Sequence, residues 1–197
     1  MEKPKKNSGP AGSAGIGSST ETNRENLLSQ RTKSDKTTKK LAAGSLIAAM
    51  YVASTFLTNL FGLASGAVQI RVSEALCILP CFTSSAVPGL FIGCLLANLV
   101  TGALLPDIIF GSLATLIGAV GTLLLRKNRC LAVLPPILAN TVIVPLVLEY
   151  SYKLEDSLPF LFMTVGIGEV ISAGILGQFL YSLIDRNTAL KNLLAGL

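Results

Sequence analysis

Hydrophobic residues in this chain fall in long unbroken blocks, not in the alternating or one-faced patterns of a water-soluble fold. Five blocks come close to the ~20 residues that an α-helix needs to cross a bilayer: 41–61, 86–105, 106–125, 130–148 and 159–184. Between the first two lie a Gly/Ala/Ser loop, 62–68, and an odd stretch, 69–85. That stretch carries two full charges, Arg71 and Glu74, and then only eight apolar residues, 75–82. Ser73 is placed to cap a helix there, with Glu74 in the first turn, where the helix dipole favours an anion. Small residues recur at four-residue spacing in the first block, as Gly44/Ala48 and as Ser45/Ala49/Ala53. Gly89 and Gly93 repeat the spacing in the second. Such stripes let helices approach closely in lipid, where packing drives association.

Composition removes a soluble reading. Hydrophobic residues make up 51% and charged residues 14% of the 197, against about 25% charged in a typical soluble domain. The mean hydropathy is +0.63. An all-α integral membrane protein is expected. Charge is unevenly spread: residues 1–40 hold nine Lys/Arg and four Asp/Glu, whereas 41–197 hold seven of each. The net +5 belongs to the tail, and nucleic-acid binding has no support. Residues 1–40 are rich in Gly, Ser, Thr, Asn and Lys, and bury too little apolar surface to offset their ordering entropy. They are expected to form a disordered basic tail. Forty polar residues ahead of the first apolar block do not read as a secretory signal.

Positive charge marks the cytoplasmic side. Lys39 and Lys40, the cluster Arg126, Lys127 and Arg129, and the tail 187–197 belong there. The loop 149–158, with Glu149, Glu155 and Asp156 against one Lys153, belongs outside. An even number of crossings must separate residue 40 from residue 126. The long blocks supply three, so the fourth has to be the short stretch 73–84. Local thinning or burial between neighbouring helices would hold it there. Six transmembrane helices follow, the second one short, with both termini cytoplasmic in a cell membrane. The chain divides into the tail 1–40, a membrane domain 41–186 and the C-terminal tail 187–197.

Missing chemistry narrows the function. There is no His, which removes Ser-His and Cys-His nucleophiles and every His-based metal site. Cys77, Cys81, Cys94 and Cys130 match no zinc spacing and read as small apolar fillers. No Gly-x-x-x-x-Gly-Lys-[Ser/Thr] occurs, so the chain has no ATP site of that kind. No cofactor or metal is expected. An enzyme working through Asp107 or Glu169 is disfavoured, and energy for transport has to come from ion coupling or from partner proteins.

Polar residues at depth are the remaining candidates. With a rise of ~1.5 Å per residue, Asn98, Asn140 and Glu169 lie near the middle of their helices. Glu169 follows two glycines in Gly166-Ile167-Gly168-Glu169, and an ionisable group at that depth is costly and functional by default. A ligand contact is the favoured reading; an interhelical hydrogen bond to Asn140 is the other. Asn98 reads better as a helix-to-helix bond. Arg71, Glu74, Asp107 and Glu149 fall at the outer side. Arg71 and Glu74 either pair with each other (i, i+3) or meet a ligand. Asp107 reads first as a helix N-terminal charge after Pro106.

Several runs resemble one family. Gln69-x-Arg71-x-Ser73-Glu74-Ala75-Leu76, Leu79-Pro80, Val87-Pro88-Gly89-Leu90-Phe91-Ile92-Gly93-Cys94-Leu95-Leu96-Ala97-Asn98 and the run 107–116 are similar to the QueT family. These are queuosine-precursor transporters, the substrate-binding S components of energy-coupling factor transporters. The resemblance covers residues 41–186 and is densest over 69–116. It implies a six-helix S-component-like bundle with a ligand site near the outer face. It also implies dependence on a membrane coupling subunit and two ATPase subunits. An Ala-x-x-x-Ala docking motif is implied at Ala49/Ala53, with Ser45/Ala49 and Gly44/Ala48 as competing registers. The implied ligand is a 7-deazaguanine, whose pyrimidine edge offers two adjacent donors that one carboxylate accepts as a pair. On that chemistry Glu169 reads the edge, Asn140 and Gln69 are neutral partners, and Phe110 stacks on the base. Arg71, Glu74, Asp107 and Glu149 complete the implied site. An autonomous secondary transporter of a small vitamin-like or nucleobase-like solute is the alternative.

Overall fold

The computed structural model describes residues 15–62, 70–152 and 157–196. Every regular element among them is helical. They fall into two units, 1–38 and 39–197. In the first, residues 15–38 form the opening turns of α1 (Gly15–Leu60), where composition is expected to leave the chain disordered. Local chemistry accounts for the difference. Adding a residue to an existing helix is far cheaper than nucleating one, and residues 21–40 are rich in Glu, Arg, Lys, Gln and Leu, all good helix formers. Thr32 donates its hydroxyl to the carbonyl of Leu28, four residues back, at 2.9 Å.

The second unit begins at residue 39 of α1. A short 3₁₀ helix, Val72–Cys81, comes next, then α2 (Ala86–Val100), α3 (Leu105–Leu124) and a single turn, α4 (Arg129–Ala132). Next are α5 (Leu134–Tyr152) and α6 (Leu158–Glu169), which runs on through a π-helical segment, Val170–Leu176, into α7 (Gly177–Arg186). Asn187 caps α8 (Thr188–Ala195), its side chain accepting from the Leu190 N–H at 3.2 Å. Lys191 of α8 pairs with Asp185 at 2.7 Å, and that contact raises the exposed ammonium's pKa.

Four helical stretches are long and apolar enough to cross a membrane: Leu27–Leu60, Leu105–Leu124, Arg129–Ser151 and Leu158–Arg186. Two apolar helices are shorter, Val72–Cys81 and Ala86–Val100. The outside of the bundle is apolar. Leu46, Phe56, Ile92, Ile117, Leu138, Met163, Ile175 and Phe179 are all exposed. The polar side chains go inside: Thr55, Ser73, Glu74, Asn98, Asp107, Thr115, Asn140, Glu169 and Ser172 are buried. A solvent of lipid favours this inversion, because only the interior offers polar groups a partner. The chain is a multi-pass membrane protein.

The short helix is the most enclosed element. Ser73 through Pro80 are all buried, and Leu76, Cys77 and Leu79 share a core with Ile47, Tyr51, Leu90, Cys94, Ala119 and Ile184. Its wrapping by neighbours is the burial expected of so short an apolar stretch. The 3₁₀ form also makes it longer, ~2.0 Å per residue against ~1.5 Å for an α-helix. Close packing of α1 on α2 comes from glycine: a Cβ on Gly89 would lie 2.6 Å from the Gly44 carbonyl oxygen.

Candidate functional site

The start of the short helix differs from its sequence reading in one respect. The cap residue is Arg71, in extended conformation, and no side chain caps the helix. Ser73 lies one position inside it, its hydroxyl 2.9 Å from that of Thr55 on α1. Glu74 does fall in the first turn, as expected, but it does not face the helix end. It turns into the bundle, 1% exposed.

There Glu74 is held by three donors. The Tyr51 hydroxyl of α1 donates to Oε1. The Cys77 thiol donates to Oε2 at 3.1 Å, and the Asn140 amide of α5 donates to Oε2 at 3.2 Å. Among the described residues, Arg71 is not an ion-pair partner of Glu74, so the i, i+3 pairing is not what engages this carboxylate. Arg71 instead anchors by its backbone, its N–H donating to Ser172 Oγ of the π segment at 3.2 Å. Arg71 is half-buried, and Asp107 and Glu74 are acids near its side chain.

Glu169 closes α6 immediately before the π segment. Segments of that kind are rare and frequently mark functional sites. The carboxylate is 5% exposed. Asn140 and Glu74 are among the groups around it. Its Oε2 is buried with no hydrogen-bond partner. Thr141 Oγ1, one residue after Asn140, is in the same condition. Gly166 brings α6 close to it, since a Cβ there would lie 3.2 Å from Thr141 Cγ2. A buried acceptor left without a donor costs on the order of 1–3 kcal/mol. A ligand offering N–H groups would recover that cost.

The other expected residues lie around this centre unevenly. Asn140 bonds Glu74 directly, and Glu169 is buried beside them. Asp107 is buried in the first turn of α3, where Asn98 donates to its backbone carbonyl at 3.3 Å; Asn98 thus makes the helix-to-helix bond expected of it. Phe110 is 49% exposed. It lines an apolar cleft of about 290 Å³ with Pro106, Ile143, Leu146, Val147 and Tyr150, a cleft that none of the three carboxylate-cluster residues lines. Glu149 is half-buried, with Oε2 buried and unpartnered. Gln69 lies outside the described residues. Among the described residues, no group of His, Cys, Asp and Glu is arranged to hold a metal.

Two residues of the cluster escape a reading by sequence. Cys77 reads as filler, yet its thiol serves Glu74. Tyr51 is not among the residues that the sequence reading singles out; the signal that could have found it is a polar stripe, Tyr51, Thr55 and Thr58, spaced four and three apart on α1. All three are buried.

The structure also sorts the small-residue stripes of α1. Gly44 and Ala48 face α2, and a Cβ on Gly93 would lie 3.0 Å from Ala48 Cα. Ser45, Ala49 and Ala53 are exposed. They line a groove of about 660 Å³ along α1 and α2, to which Gly44, Ala48 and Gly89 also contribute where the two helices meet.

A family model described as QueT transporter matches residues 41–186. No curated protein and no solved structure matches the chain.

Proposed function

From the premise that this chain belongs to the QueT transporter family, a family of transporters and not of enzymes, we propose that it is the substrate-binding membrane subunit of an energy-coupling factor importer. Its ligand is a queuosine precursor of the 7-deazaguanine type, and ATP is hydrolysed by partner subunits. Six crossings place both termini in the cytoplasm. The four long apolar helices supply four, and α2 and the short 3₁₀ helix supply the two that fall below the usual length.

The partner is a membrane coupling subunit carrying two ATPases. Its docking surface is the groove lined by Ser45, Ala49 and Ala53. Gly44 and Ala48 are already committed to α2, which favours the Ala49/Ala53 register.

One observation carries the ligand assignment: the buried, unpartnered Oε2 of Glu169. The pyrimidine edge of a 7-deazaguanine presents a ring N–H beside a 2-amino group, two donors that a carboxylate accepts together. Arginine reads guanine through O6 and N7, and the deaza ring has no N7, so Arg71 is the poorer reader. Arg71, Asp107, Glu149 and Gln69 are kept as surroundings of the bound ligand, whereas Phe110 lines a cleft apart from Glu169. Leaving those donors half-paired costs about 1–3 kcal/mol. Glu169→Gln is therefore expected to weaken 7-deazaguanine binding roughly ten- to a hundredfold in a calorimetric titration of the purified protein, without loss of membrane insertion. A Gln variant that binds as tightly as the parent makes Glu169 a structural residue.

A further inference from the structure

Glu74 stands apart from Glu169 in one respect: its carboxylate is already occupied. Tyr51, Cys77 and Asn140 all donate to it, from three different positions around a side chain that is 1% exposed. A carboxylate has about four acceptor positions, so little capacity is left for a solute. Asn140 has the opposite freedom. A side-chain amide carries two donors on nitrogen and an acceptor on oxygen, and either branch can be turned to a neighbour. Nδ2 donates to Glu74 Oε2 at 3.2 Å. A carboxylate already taking three donors serves here as an acceptor, so the nitrogen branch is the one that Glu74 holds.

We infer that Glu74, clamped by Tyr51 and Cys77, is a positioning residue: it locks the Asn140 amide so that a solute meets acceptors and no donors. With its nitrogen held by Glu74, Asn140 would present its carbonyl oxygen to a solute that meets the unpartnered Glu169 Oε2. The site therefore selects a solute edge that is a continuous row of N–H donors. This rests on the reading of Glu169 as the ligand contact, and it adds the reason for the selectivity. Glu74 acts through Asn140, without touching the ligand, and Tyr51 belongs to the same device from α1.

The test uses two solutes that differ by one donor, 7-deazaguanine and 7-deazahypoxanthine, which lacks the 2-amino group. Each is titrated calorimetrically into the purified full chain. The parent is expected to prefer 7-deazaguanine by at least about tenfold. In Glu74→Gln the new amide can donate to Asn140, whose own amide is then free to turn its NH₂ toward the solute. The preference is expected to fall toward one while 7-deazahypoxanthine affinity holds. Tyr51→Phe removes one of the three clamps and is expected to lower the same ratio part of the way. It decides the matter alone if Glu74→Gln does not fold. Variants that weaken both solutes by one common factor, or that leave the ratio at the parent value, overturn the positioning role. A parent that binds neither solute overturns the ligand assignment beneath it, a different failure.

Discussion

Gly89→Ala is a severe test of the packing on which the docking groove depends. The added Cβ would lie 2.6 Å from the Gly44 carbonyl oxygen and 3.1 Å from Gly44 Cα. Both atoms are backbone, so no side chain can rotate away. Ordinary contact starts near 3.4 Å, and the two helices have to part by roughly 0.8 Å, enough to forfeit a quarter to a half of each van der Waals contact along the seam. Overpacking of this kind costs about 1–3 kcal/mol. Alanine's better helix propensity returns up to ~1 kcal/mol, which leaves a net loss of up to about 2 kcal/mol. For a chain of this size the melting temperature should fall by up to roughly 8 °C, read by thermal unfolding in detergent. Gly174→Ala is the control. Its Cβ would meet only Ile137 Cδ1 at 3.6 Å and Val170 Cγ1 at 3.9 Å, so it is expected to be no less stable than the parent. Equal behaviour of the two variants would refute the assigned packing.

Two further outcomes follow from the same account. Ala49→Trp fills the groove beside Ala53 and is expected to abolish co-purification with the coupling subunit while leaving ligand titration unchanged; a variant that still co-purifies moves the docking face elsewhere. A cysteine at Ser157, in a cysteine-free background, should react with an impermeant thiol reagent added outside cells, and one at Asn128 should not; the reverse pattern removes the six-crossing topology.

Much of the architecture was legible because lipid reads the chain so bluntly. Unbroken apolar blocks and mid-helix polar residues follow from one rule, that polar groups in a bilayer must find partners inside. Hence Asn140 and Glu169 both lie buried in the interior, and Asn98 makes the bond expected of it. What stayed hidden depended on rotation about a helix axis. Gly44/Ala48 and Ser45/Ala49 have identical spacing, and only the contact with Gly89 and Gly93 shows that the first stripe is spent internally. The charge on Glu74 suggested Arg71 three residues away, yet its partners are on α1, on α5 and one turn along its own helix. Ser73 looked like a cap because it precedes an acid. The helix starts two residues earlier, capped by Arg71, and the Ser73 hydroxyl meets Thr55 instead. Tyr51 sits 23 positions from the carboxylate it serves, a pairing that no local pattern encodes.

The central claim is that this chain binds the solute while other subunits supply the energy. Its most direct measurement is uptake of labelled 7-deazaguanine into proteoliposomes, with the purified chain alone and with the chain joined to a coupling subunit and two ATPases. The account predicts uptake only in the complete assembly, dependent on ATP on the ATPase side and lost on Glu169→Gln. Robust accumulation by the chain alone, driven by an ion gradient, would contradict it and make the protein an autonomous carrier.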